Sequence, residues 1–253
     1  MLQKMQGNNR LREVGITIIL TVLVFVLTRE YVRTASRRWF SDSLPEAELV
    51  RHWTDVELDR RLHKLSRWEE FDSAQFQSFV KHQIRGLGLK KSEEFSFLEV
   101  GVGVGAFARY MLLNYPNATG MGIDVQAKAI SVAAEVLPRD RFRLLVADMV
   151  SLPANKSSFD YVLVPGSLCY LYSLDDVILA VAEFTRVLRP GGGLCVSMLP
   201  SATSPMGSCN TRIPKSVWTS AKRLRVVTME EMNDWNLPHS LGRYSTCLRK
   251  SVV

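Results

Sequence analysis

The 253-residue chain has only four cysteines, Cys169, Cys195, Cys209 and Cys247, and no two stand in a C-x-x-C spacing. That spacing argues against a cysteine metal centre, and no metal site is expected. Two of the four sit inside apolar runs, so buried reduced thiols are the expectation ahead of a disulfide pair. Internal repeats and low-complexity tracts are also missing. The chain further lacks a basic face of the kind nucleic-acid-binding domains show, although its formal net charge is +7. The surplus is concentrated in residues 1–40, where Lys4, Arg10, Arg12, Arg29, Arg33, Arg37 and Arg38 stand against Glu13 and Glu30. The rest is close to neutral, and no nucleic-acid partner is expected. An apolar fraction of 47% is enough for a sizeable core, so disorder is not the default.

Residues 14–28 run V-G-I-T-I-I-L-T-V-L-V-F-V-L-T without a charge, between Arg12-Glu13 and Arg29-Glu30. As a helix this stretch would be about 22 Å long, against roughly 30 Å of bilayer hydrocarbon. Flanking arginines can snorkel, and Tyr31, Trp39 and Phe40 suit the interface, so the segment reads as a short membrane anchor. A secretory signal, a mitochondrial presequence and a buried core helix are the alternatives. No A-x-A-like cleavage site follows, and both flanks are charged, which argues against secretion. More positive charge follows the segment than precedes it, placing the rest on the cytosolic or mitochondrial-matrix side of a single-pass arrangement.

Three regions follow from these patterns: a basic leader over 1–40, a helical extension over 41–90, and a domain over 91–253. In the extension, Pro45, Glu46 and Glu48 look like a helix start. Phe71, Phe76, Phe79, Val80, Ile84 and Leu87 recur at helical spacing, and Gly86 and Gly88 look like a stop. Trp53 and Trp68 are read as core packing before any role as a pocket cap. Beyond Gly88, short apolar runs alternate with helical stretches. Strands are predicted at 95–100, 119–123, 141–147, 161–164 and 194–199, with helices at 106–114, 126–137 and 175–188. Strand and helix in alternation imply a doubly wound, mostly parallel sheet of the α/β class.

The first predicted strand ends in Leu98-Glu99-Val100-Gly101-Val102-Gly103-Val104-Gly105 and runs straight into a helix. Alternate glycines permit a tight turn and let a ligand lie on bare backbone at the carboxyl ends of the strands. The G-x-G-x-x-[GA] pattern of Gly101, Gly103 and Ala106 equally describes dinucleotide sites or a purely structural loop. Glu99 disfavours a pyrophosphate and suits an ammonium group. Asp124 closes the second strand, placed to accept from two ribose hydroxyls, and Asp148 ends the third, placed to accept from an adenine amino group. A local helix-capping role is the simpler alternative for each aspartate.

These residues resemble the class I S-adenosylmethionine-dependent methyltransferases, in particular the "type 11" group that includes quinone and sterol methyltransferases. The matching pieces are Glu99-Val-Gly-Val-Gly-Val-Gly105, Gly122-Ile-Asp124, Ala147-Asp148, Leu152-Pro153, Ser158-Phe-Asp-Tyr161 and Glu183-Phe-Thr-Arg-Val-Leu-Arg-Pro-Gly-Gly192. The resemblance implies a Rossmann-like methyltransferase sheet with an antiparallel C-terminal strand. The corresponding elements are a helix over 214–222 and strands over 224–232 and 244–249. It implies S-adenosyl-L-methionine as cofactor, held by Glu99, Gly101, Gly103, Gly105, Asp124, Val125, Asp148, Met149 and Pro165. By the same resemblance the segment after the fourth strand faces the methyl group, with Tyr170 as a pocket residue or an aromatic packed on the next helix. The chain departs from many relatives at Val102 and Val104, where small or hydroxyl-bearing residues are usual.

Such a cofactor brings its own activated methyl group, so the protein mainly positions the acceptor and no universal catalytic residue is needed. No catalytic residue is assigned. The loop 200–212 is expected to close over the acceptor, and His239 is read as a solvated loop histidine rather than a base. A membrane-associated transferase acting on a lipid or other small-molecule acceptor is the leading expectation. Protein methylation and a catalytically silent scaffold of the same fold are the alternatives, the scaffold resting on the two valines.

Overall fold

The structure is a computed structural model that describes residues 73–200, 209–221, 223–231 and 243–252. All fall within one compact unit, Asp55–Val253. The apolar stretch 14–28, Trp53, Trp68, His239 and most of the 200–212 loop lie outside the described residues. Among the described residues no helix is long and apolar enough to cross a membrane.

Seven strands form one sheet in the order β3-β2-β1-β4-β5-β7-β6. They are β1 Phe95–Val100, β2 Ala118–Asp124, β3 Phe142–Val146, β4 Phe159–Pro165, β5 Leu188–Pro200, β6 Leu224–Glu231 and β7 Arg243–Lys250. Strands β1 to β5 pair in parallel, and β7 runs antiparallel between β5 and β6. The helices are α1 Ala74–Ile84, α2 Ala106–Asn114, α3 Ala127–Val136, α4 Leu174–Val187 and the single turn α5 Ser216–Thr219. The doubly wound, mostly parallel sheet with an antiparallel C-terminal strand is thus present.

Alternation along the strands divides the core in two, as a sheet covered on both faces requires. Leu98, Val100, Val162, Val164, Leu194 and Val196 point to one face, with Val177, Phe184 of α4 and Trp218 of α5. Phe95, Phe97, Tyr161, Leu163 and Cys195 point to the other, with Val80 of α1, Met111 of α2 and Ala133 of α3.

The main departures are at ends. A helix expected over 214–222 is one turn, Ser216–Thr219, and Lys222 lies outside the described residues. Strand β5 begins at Leu188 rather than 194, since Leu188 already pairs with Phe159 before an irregularity at the Pro-Gly-Gly stretch. The expectation of reduced thiols is also corrected. Cys195 and Cys247 face each other on β5 and β7 and are bonded, and Cys169 is bonded to Cys209. Spacing in the sequence could not reveal these pairs, because one is made by strand register and the other by a return of the chain to the end of β4.

Several of the recurrent sequence pieces turn out to be joints of this fold. Glu183 accepts the Leu152 amide at 2.9 Å and a two-pronged bond from Arg186, whose other nitrogen donates to the Ala154 carbonyl at 2.7 Å. Arg186 thereby ties α4 to the loop after β3. Asp160 accepts from the Ser96 amide and hydroxyl and from Arg189, joining β1, β4 and β5 at the edge of the sheet away from the glycine turn. Burial pushes the Asp160 carboxyl up, but the Ser96 and Arg189 hydrogen bonds carry it below the usual carboxylate range.

Candidate active site at the strand tips

The glycine turn begins where β1 ends. The amides of Gly101 and Val102 both donate to the Ile123 carbonyl of β2, at 2.8 and 2.9 Å, so the chain leaves β1 by folding across its neighbour. Gly101, Gly103 and Gly105 take φ of 71°, 53° and 85°, the left-handed region that glycine enters without steric cost. Gly101 is needed for a second reason: a Cβ there would lie 2.3 Å from the Ser167 Cβ. Ser167, just past β4, donates its hydroxyl to the Val100 carbonyl at 2.7 Å and so bolts the β4 tip to the β1 tip.

Helix α2 starts from Gly105 without a side-chain cap, so its first-turn amides need other acceptors. The Ala108 amide finds one in the carboxylate of Glu99. Glu99 is 1% exposed, on the face of the sheet that α2 covers. Burial raises its pKa well above the ordinary value; the Ala108 hydrogen bond opposes this and the charge of Asp124 adds to it. Its Oε2 is buried without a hydrogen-bond partner. A buried acceptor left in this state costs free energy until a donor, ideally a cation, arrives.

Asp124, at the tip of β2, accepts the Gly103 amide on Oδ2 at 2.9 Å and the Gln126 amide on Oδ1 at 3.0 Å. These bonds orient the Asp124 carboxylate at the strand tip. The Ala147 amide donates to the Asp124 carbonyl at 3.0 Å and carries the line of tips on to β3. There Asp148 is exposed and accepts the Val150 amide at 3.0 Å. Both aspartates therefore hold local turns at the strand ends and neither caps a helix: the N-terminus of α3 has no side-chain cap, and no helix directly follows Asp148.

The other candidate residues lie along the same edge. Val125 is partly exposed just beyond Asp124, and Met149 packs against the core beside Asp148. Pro165 is the last residue of β4, in register with Ser197 of β5. Tyr170, in a short 3-10 turn after β4, is half-buried against the core, and its carbonyl accepts from the Asn210 amide group at 2.7 Å. Val102 belongs to the hydrophobic core, and its Cγ2 would lie 2.8 Å from a Cβ at Gly122. Val104 is also buried. The two valines are buried residues rather than loop surface.

Three neighbours of this edge carry no motif in the sequence. Ser167 is one. Arg243, at the start of β7, is buried and donates to the Met198 carbonyl at 2.8 Å and to Cys209 Sγ at 3.0 Å. Met198 takes a φ of 60° at an irregularity in β5, a strained conformation for a residue with a side chain. Both stand where the parallel part of the sheet meets β7, a junction that local sequence does not mark.

This sheet order, with a glycine turn leaving β1 and acids at the tips of β1, β2 and β3, defines the Rossmann-like class I methyltransferases. Residues 98–196 match the methyltransferase domain family, and the sheet, glycine turn and strand-tip acids are similar to those of the class I S-adenosylmethionine-dependent methyltransferases. It is 30% identical over 114 residues to a ubiquinone/menaquinone biosynthesis C-methyltransferase of Syntrophotalea carbinolica, covering 43% of this chain and 46% of that one. It is 36% identical over 95 residues to a fatty-acid O-methyltransferase of Mycolicibacterium smegmatis, covering 38% and 34%. The chain thus spans less than half the length of these curated relatives. The fold resembles that of the N-methyltransferase NodS of Bradyrhizobium japonicum, solved with S-adenosyl-L-homocysteine. That match has a TM-score of 0.60 and 22% identity, and covers 76% of this chain and 96% of the other.

Proposed function

We propose that the chain is a membrane-associated methyltransferase that moves the methyl group of S-adenosylmethionine to a small apolar or lipid acceptor. The observation that carries the cofactor part is the buried, half-partnered Glu99 beside Asp124 and the left-handed glycine turn. Glu99 Oε2 would take the ammonium of the cofactor's amino-acid part, Asp124 its ribose hydroxyls, and Asp148 with Met149 and Val125 its adenine. Gly101, Gly103, Gly105 and Pro165 would line its path. The bound cofactor supplies an activated methyl, for which the acceptor needs to be positioned and water excluded. Tyr170 stands beside Arg243 near the end of β4 and would border the acceptor.

The acceptor class rests on two supports. Relatives named for quinone and fatty-acid methylation point to small apolar substrates, and an apolar leader over 14–28 would hold the enzyme where such molecules dissolve. The burial of Val102 and Val104 accounts for two apolar residues in the turn without requiring a silent scaffold. Incubating the protein with methyl-labelled cofactor and a membrane extract tests the reading. Label extracted with the lipids is expected, and label confined to protein, or none transferred, contradicts it. Carbonate extraction tests the anchor: the intact protein should stay in the pellet, and release into the supernatant would refute membrane insertion.

A further inference from the structure

An open groove of about 770 Å³ lies on the face of the sheet covered by α4 and α5. Leu174, Ile178 and Val181 of α4 form one side, and Val217, Ala221 and Leu224 the other. None of the residues assigned to the cofactor takes part in it. Leu174 and Ile178 remain 39% and 53% exposed and face the groove.

One end of the groove is cationic. Lys156 precedes β4, Arg223 precedes β6, and Lys250 ends the antiparallel β7, so all three gather at the sheet edge opposite the glycine turn. No carboxylate lines the groove among the described residues. Arg186, the fourth cation there, is already held by Glu183. Lys250 gives its ammonium to the Thr185 and Leu188 carbonyls, and burial, then the charges of Lys156 and Arg223, push its pKa down. The three positive charges therefore repel one another with no anion among them. From Leu174 to Arg186 helix α4 runs about 18 Å, so the apolar channel leads away from that cationic end along most of the helix.

We propose that this groove is a binding site for a single-chain anionic lipid, its head on Lys156, Arg223 and Lys250 and its chain along Leu174, Ile178, Val217 and Leu224. An apolar wall with a few convergent charges at one end is the usual build of a ligand site. The site does not depend on methyl transfer, and its ligand is not displaced by the cofactor.

Fluorescence titration of the full chain with cis-parinaric acid tests this. Saturable one-to-one binding is expected. Its affinity should fall by about tenfold or more in Lys156→Glu/Arg223→Glu and in Ile178→Asp, as loss of charge pairing or of apolar contact implies. The methyl ester of the same acid should bind the unaltered protein about tenfold more weakly; this arm needs no variant to fold. S-adenosylhomocysteine should leave the signal unchanged. Absence of saturable binding, equal binding of acid and ester, or full binding in both variants would overturn the proposal. So would displacement by S-adenosylhomocysteine, or binding only to phosphatidylglycerol vesicles, which would make the groove a bilayer-docking face instead.

Discussion

The amide of Gly103 donates to the Asp124 carboxylate at 2.9 Å, so the glycine turn and the acid assigned to the ribose hold each other in place. Asp124→Ala removes that bond, the Gln126 bond and the proposed ribose contacts together. A hydrogen bond to a charged group contributes about 1.5–3 kcal/mol, so calorimetry should find S-adenosylhomocysteine bound at least about tenfold more weakly. A loss smaller than about threefold would remove Asp124 from the site.

Gly101 and Ser167 compete for one volume. Gly101→Ala places a methyl group on Ser167 in a left-handed backbone and should destabilise the domain by about 1–3 kcal/mol, read as a lower melting temperature. Adding Ser167→Gly relieves the clash but not the backbone strain, so the double variant should recover part of the loss. No recovery would mean that the contact with Ser167 is not what requires glycine.

Arg186→Ala strips Glu183 of its cation and frees the Leu152 and Ala154 carbonyls. Denaturant unfolding should show a loss of about 1–3 kcal/mol, with S-adenosylhomocysteine affinity unchanged in the folded fraction. A selective loss of affinity would give this pair a place in the site rather than in the frame.

The paired cysteines make a chemical prediction. Alkylation of the unfolded, unreduced protein should find no reactive thiol among Cys169, Cys195, Cys209 and Cys247. Reduction should then lower the melting temperature, since disulfides typically contribute about 2–4 kcal/mol. Four alkylated cysteines before reduction would restore the expectation of buried thiols in a reducing compartment.

The parts of the fold visible in the sequence are those governed by local periodicity. Strand β1 and helix α2 fall at the expected residues, because an apolar run, a glycine turn and a helical repeat follow one another without ambiguity. The strand tips bearing Glu99, Asp124 and Asp148 could be ordered for the same reason. What escaped depends on distant chain segments meeting: the Cys195–Cys247 register, the Cys169–Cys209 return, Ser167 against Gly101, and Arg243 behind Met198. The role of Val102 was also hidden, since its burial follows from Gly122 and Phe142 on neighbouring strands. Glu183 and Arg186 were seen only as part of a resemblance, and their function as a clamp needed the loop after β3 in place.

Glu99 ties the account together through its proton. With its pKa raised in the folded protein, the free domain gains from the protonated form, and that contribution is lost as pH rises from the ordinary carboxylate range towards the raised value. A bound ammonium favours the ionised form, so cofactor binding expels a proton and tightens with pH over the same window, below the ammonium's own titration. Glu99→Gln abolishes both effects: the free protein should melt higher on the alkaline side, and the affinity should be weak and flat with pH. The decisive measurement is calorimetric titration of S-adenosylhomocysteine into the native chain and Glu99→Gln over a pH series that starts in the ordinary carboxylate range and rises above it. Affinity rising with pH and proton release in the native chain alone are the expected result; identical affinities and pH profiles for the two would contradict the site.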